Sequence, residues 1–235
     1  MALPKIQHTL YEHHLVGMNK TIKFRPFTNH EQKTLLLAKE TGNEDKSVII
    51  NAINEIINGC TNGKVDGNTL ATFDVEDLFM RIRAKSVGEV VKLKYRYDYH
   101  DDEDKPKSDF VDVEINIDDI KVEVNPEHNN KIMITDKIGI VMKYPTFGLL
   151  GTLDNDDDIA IACIDYVFDE TEVYPTTDST KEELRQFYDD IDTKGLLAIK
   201  KFFETLPKLR HSVDIELADG KVETVTYEGL EDFFT

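Results

Sequence analysis

Asp154, Asp156 and Asp158, in the string DNDDDIAIACID, fall at the alternate spacing by which a calcium loop presents oxygen ligands, and Asp165 stands where the closing ligand belongs. The position that needs glycine for the sharp turn is Ile159, and the closing residue is a short Asp where a bidentate Glu is usual. Aspartates heading a helix also interact well with its dipole, so helix capping is the better reading. HTLYEHH supplies His8, His13 and His14 with Glu12, but no second ligand pair follows at a recognisable spacing. These two clusters are the basis of a rival reading as a metal-dependent hydrolase. Cys60 and Cys163 are far apart with no CxxC pair, which supports neither a disulfide framework nor a cysteine zinc site and fits cytosolic folding. No two of the remaining acids are set in the opposed environments that acid and base roles require. The sequence therefore points to no catalytic residue, no cofactor and no metal.

Composition narrows the partners. A formal net charge of −18 argues against a phosphate-backbone binder, whose affinity comes from clustered Lys and Arg, so no nucleic acid is expected. The first residues lack the apolar core of a signal peptide, and no run approaches the roughly 20 apolar residues that span a bilayer, so no membrane insertion is expected. With 40% hydrophobic residues in 235, the chain can bury a substantial core without covalent staples.

Within this acidic chain Arg81, Arg83 and Lys85 form a compact basic cluster in FDVEDLFMRIRAKSVGE, followed by Lys92, Lys94 and Arg96. Such a concentration can organise a structural salt-bridge network or dock an acidic partner, and residue pattern leaves both open. Val75, Leu78, Phe79 and Ile82 recur at helical spacing, which predicts a helix over 74–83 with Asp74 as N-cap and with Leu78 and Phe79 buried.

The elements that must position these residues follow from periodicity. Residues 1–20 read as a flexible N-terminal arm, then a short strand TIKF. Thr28 with Glu31 is a capping-box signature that opens a helix. A second helix covers about 45–58, and the cluster-bearing helix completes a helical segment over 21–88. Val91, Leu93, Tyr95, Tyr97 and Tyr99 alternate with polar residues as a half-buried strand does, and HDDEDKPKSD breaks the pattern as an exposed loop. Further strands follow through Val124, and KIMITDKIGIVMKYP reads as a strand pair, although Thr135 could also cap a short helix; the β-rich segment spans 89–147. Helices are expected at about 155–168, from Ser179 and Thr180 toward Ile191, and from Lys194 to Leu206. A hairpin turning at Asp219-Gly220 completes the segment 148–235. The expected fold class is α+β: N-terminal helices, a β-rich middle segment, C-terminal helices and a terminal β-hairpin.

FRPFTNHEQKTLLLAKE at 24–40, FDVEDLFMRIRAKSVGE at 73–89 and VEVNPEHNNKIMITDKIGIVMKYPTF at 122–147 occur in an order that resembles the baseplate protein family of T-even-type contractile-tailed phages. Its members include a baseplate hub subunit and a related hub assembly factor. Arg25, Pro26 and Phe27, the run Arg83-Ala84-Lys85-Ser86, and Lys143, Tyr144 and Pro145 are the positions most like the family signature; with Arg81 they form the candidate protein interface. Relatives carry cysteine pairs in the middle β segment, as in a small metal ribbon, whereas this chain has YRYDYHDDEDKPKSDF there, so no zinc carries over. The resemblance implies a non-enzymatic hub subunit or hub-assembly factor whose partners are other hub, tail-tube or tape-measure proteins. It also admits a transient chaperone for tape-measure or hub proteins that is absent from the mature virion. The implied location is host cytoplasm during assembly, or the tail baseplate of the virion.

Overall fold

The structure is a computed structural model that describes residues 3–4, 6–41, 46–100, 105–153, 155–217 and 220–234. Two antiparallel strands come first, β1 (Tyr11–Leu15) and β2 (Lys20–Phe24); β2 contains the expected strand TIKF, whereas β1 stands where a flexible arm was expected, so the chain starts with strands and not with helices. The cause lies on one face of β1. Tyr11, His13 and Leu15 point inward opposite Phe24, Ile22 and Lys20, and a histidine in that inward row masks the apolar alternation that marks a strand.

Three helices follow: α1 (Asn29–Thr41), α2 (Lys46–Cys60) and α3 (Thr72–Val87). Half of the expected capping box is present at α1: the Thr28 amide donates to Glu31 Oε2 at 2.7 Å, while Thr28 Oγ1 accepts from the His30 amide at 3.3 Å. Next comes a long hairpin of β3 (Val90–His100) and β4 (Pro106–Asn116), paired from Val90↔Asn116 to His100↔Pro106. Residues 101–104 of its acidic loop lie outside the described residues. A 3-10 turn at Ile117–Asp119 leads into β5 (Lys121–Glu123).

The next strands, β6 (Lys131–Met133) and β7 (Gly139–Met142), form the expected pair. Thr135 closes its turn by accepting from the amides of Lys137 and Ile138 and caps no helix. The chain continues through α4 (Phe147–Leu150), α5 (Asp156–Ala162), β8 (Ile164–Phe168) and β9 (Val173–Pro175). Here the helix expected over 155–168 stops at Ala162. Ile159, Ala162, Cys163, Tyr166 and Val167 fall at helical intervals, but Ile164, Tyr166, Val167 and Phe168 are β-branched or aromatic residues that suit a pleated surface, and their strand pairs with β7 on one side and β9 on the other.

Then come α6 (Lys181–Asp189), α7 (Thr193–Glu204), β10 (Lys208–Glu216), β11 (Val222–Glu228) and α8 (Gly229–Phe234). Thr180 and Glu183 form a full capping box on α6, and Asp192 caps α7 through the Gly195 amide. The terminal hairpin of β10 and β11 is present and takes β5 as a third strand; Asp219 of its turn is not among the described residues.

Among the described residues there are four small sheets, ordered β1-β2, β11-β10-β5, β3-β4 and β6-β7-β8-β9. The α+β class stands, but the succession of helices, then strands, then helices is corrected: strands and helices interleave from the first hairpin onward.

Three hydrophobic clusters hold these elements. One joins β1 and β2 to α2 and α3 through Leu15, Phe24, Ile56, Ile57, Leu78 and Ile82. A second joins α3 to β3, β4, β5 and β10 through Met80, Val91, Ile115, Ile120 and Leu209. The third packs β6, β7 and β8 against α5, α6 and α7 through Ile140, Ile164, Tyr188, Ile199 and Phe202. Helix α3 enters the first two clusters. Leu78 and Phe79 are buried as expected, and so are Phe73, Met80 and Ala84 off the predicted stripe. A helix packed on two sides has less solvent-facing surface for its polar residues, so Asp74 and Asp77 are buried as well.

Candidate docking surfaces

The buried acids of α3 bind neighbouring elements. Ala71, not Asp74, is the N-cap. Asp74 instead accepts from the amides of Gly17 and Met18, each at 2.9 Å, and so caps the turn between β1 and β2. Burial raises its carboxyl above the usual range, and those two amides offset part of the rise. One helical turn on, Asp77 holds His13 Nε2 at 2.6 Å and Arg81 Nε at 3.0 Å. The Arg81 guanidinium donates onward to the carbonyls of Ile117, at 2.7 Å, and Ile120. That chain of bonds fastens β1, α3 and the turn leading to β5 together.

The candidate interface residues gather at the two ends of α3. At its C-terminal end, Arg25 Nη2 lies 2.6 Å from Glu31 Oε1 in a pair with little exposure. Burial would raise the Glu31 carboxyl, but bonds from Arg25 and Thr28 outweigh it and hold the group at about 2. Phe27 donates its amide to Ser86 Oγ at 2.8 Å and packs its ring against Phe79, while Pro26 accepts from Arg25 Nη1 at 2.9 Å. Lys85 bonds Glu89 and stands over the Tyr11 ring at 5.7 Å. Arg83 reaches the Gly88 carbonyl at 3.4 Å, and burial lowers its guanidinium from its ordinary value.

At the other end, the Pro145 carbonyl accepts the Thr72 amide at 3.2 Å, and the Tyr144 ring meets Phe73 edge-on at 5.1 Å. Lys143 is exposed. A helix of 16 residues separates the two groups by roughly 24 Å, so they form two surfaces rather than one. On the following hairpin, Lys92 pairs with Glu114 at 2.8 Å and Arg96 with Asp98 at 3.7 Å.

The residues with metal-ligand spacing do other work. Asn155 caps α5 through the Asp157 amide, Asp158 bonds Arg185, and Asp157 accepts from the Tyr188 hydroxyl at 3.1 Å. Asp154 lies outside the described residues. His13 and His14 fall on opposite faces of β1, and Glu12 pairs with Lys23 at 2.9 Å. Among the described residues, no group of three or more His, Cys, Asp or Glu is placed to hold a metal. Cys60 and Cys163 are both buried, and burial pushes each thiol up to about 12. No helix among the described residues is long and apolar enough to cross a membrane.

An open cleft of about 960 Å³ lies among helices α2 to α8, with Phe73, Phe147 and Ile199 among its buried walls. Sequence reasoning missed it. Its walls come from positions as distant as Ile49 and Leu230, and the one local hint was an apolar Leu196-Leu197 pair at the start of α7.

A family model described as "T4 bacteriophage base plate protein" matches residues 8–235. The chain belongs to that family. No curated protein and no solved structure matches it. Membership places the protein's partners among other phage tail proteins. The three strings that resembled the family are joined through α3 in this base plate protein: the first and third grip opposite ends of the helix formed by the second, through Phe27–Ser86 and Thr72–Pro145.

Proposed function

We propose that this base plate protein is a hub subunit or hub-assembly factor that works by contact with hub, tail-tube or tape-measure proteins, without turnover of a substrate. Supporting this is one observation above the others: the family match runs over residues 8–235, and the motifs that resemble the baseplate family form, or sit at the two ends of, a single buried helix. A helix locked between two clusters is a rigid mount for surface residues, and rigidity lowers the ordering cost of association. Of the candidate interface residues, Arg83, Lys85 and Lys143 are the ones we assign to docking. Arg81 and Arg25 are committed to buried bonds, and Pro145 is buried.

Quantitative mass spectrometry of purified particles and of infected-cell extracts tests the proposal. Detection in particles at fixed stoichiometry identifies a resident hub subunit. Presence in extracts and tail intermediates with absence from virions identifies a factor that acts during assembly and leaves, with host cytoplasm as its place of action. Association with neither intermediates nor virions would contradict both roles.

A further inference from the structure

The cleft leaves apolar side chains from three separate elements facing solvent around one opening. Ile49 of α2, Leu150 of α4 and Leu196 of α7 line it, and they are 39%, 40% and 38% exposed. Apolar residues scattered singly over a surface need no explanation, but several gathered on the lip of a cleft with apolar walls mark a place where another surface is received. An open mouth with apolar walls suits a helix laid in a groove, a mode that anchors through residues at i, i+3 or i+4, and i+7.

Charge selects the occupant. The carboxylates lining the cleft are Glu76, Asp156, Asp157 and Glu228, and its cations are Lys200 and Lys208. Both cations already face acids: Lys208 Nζ is 2.6 Å from Glu228, and Lys200 Nζ is 3.7 Å from Glu204. Asp156 and Asp157 are exposed at the head of α5, so the lip carries a negative excess. A second copy of the chain would bring its own net charge of −18 to that lip, which disfavours self-association.

We propose that the cleft receives an amphipathic helix of another tail protein, with its apolar face on Ile49, Leu150 and Leu196 and with Lys or Arg beside Asp156 and Asp157. The proposal rests on the reading that the protein works by contact. Its test uses purified components, so a failed binding measurement leaves the particle census intact, and a failed census leaves the binding result to be judged on its own.

The probe is a dye-labelled Leu/Lys amphipathic peptide of about 18 residues, roughly five helical turns, titrated with the full chain and followed by fluorescence anisotropy. Two controls are a scrambled Leu/Lys peptide and the same apolar face with Glu in place of Lys. Expected are saturable binding of the Leu/Lys helix, at least about tenfold weaker binding of both controls, and a similar loss in Leu196→Glu. Asp156→Asn with Asp157→Asn weakens binding and flattens its dependence on salt. Ile49→Gln serves as a second variant should Leu196→Glu not fold, and circular dichroism checks each. No saturable binding, equal binding of the scrambled peptide, or binding unchanged in folded Leu196→Glu and Ile49→Gln would overturn the proposal. So would light scattering that finds a dimer which Leu196→Glu converts to a monomer, because the cleft would then belong to a second copy.

Discussion

Arg81 and Asp77 are bonded across one turn of α3, Nε to Oδ1 at 3.0 Å, and the same guanidinium holds the carbonyls of Ile117 and Ile120. With side-chain exposures of 13% and 5%, the pair is an internal joint between helix and sheet. In a chain with a large acidic excess, this basic residue is used to hold the fold together.

Arg81→Ala leaves the carbonyls of Ile117 and Ile120 without this donor and the buried Asp77 carboxylate with His13 alone, and breaking such a pair from one side costs about 3–5 kcal/mol. Arg81→Lys restores the charge but not the fork that reaches three acceptors, so it rescues only part of the loss. Urea unfolding of both variants measures the effect. A loss below about 1 kcal/mol in Arg81→Ala would mean that the joint contributes little.

Lys85 offers a contrast within the same cluster. Its ion pair with Glu89 is partly exposed, and such pairs contribute about 1 kcal/mol or less. Arg83→Ala with Lys85→Ala is expected to abolish co-purification with hub or tape-measure proteins while the melting temperature changes little. A large fall in melting temperature would place these two charges in the fold and remove the docking assignment.

Phe79→Ala is expected to cost about 3–5 kcal/mol in unfolding free energy, because the ring is 3% exposed and packs on Phe27. The same denaturant titration decides. A value below about 1 kcal/mol would show that this position is not part of a packed core.

The first part of the fold was legible where one period dominated. Phe73 to Ile82 repeat at helical spacing and Val91 to Tyr99 alternate, and both elements formed as read. Reading failed where a polar residue occupied an inward position, as His13 does in β1 beside its partner Asp77. It failed again over 159–167, where residues at helical intervals belong partly to α5 and partly to β8. The candidate site was legible only as motifs. That Arg25 and Arg81 are committed to buried partners depends on contacts with Glu31, Ile117 and Ile120, which no local pattern announces. The cleft depends on helices from α2 to α8 converging, and no single segment carries it.

Glu31 sets a pH dependence. Its folded carboxyl is held at about 2 against an ordinary 4.5, so the stabilisation is fully present above about pH 4.5 and is lost as pH falls toward 2. Over that window it amounts to about 3 kcal/mol at most. Glu31→Gln is expected to be less stable at pH 7 and to lose less on acidification than the parent chain, as read by thermal melts across the range. Parallel pH profiles for the two proteins would show that Glu31 is not the group responsible. Asp74 works in the opposite sense: its raised carboxyl favours the folded state more at low pH, and stability falls as pH rises through its titration.

The central claim is that the protein acts by binding other tail proteins. Sedimentation of infected-cell lysate through a density gradient, with the protein and the hub and tape-measure chains followed by immunoblot, tests that claim most directly. The prediction is that a fraction of the protein travels with hub or tail intermediates, and that Arg83→Ala with Lys85→Ala returns that fraction to the top of the gradient. Sedimentation of the wild-type protein only as free chains, in lysates where tail intermediates are present, would contradict it.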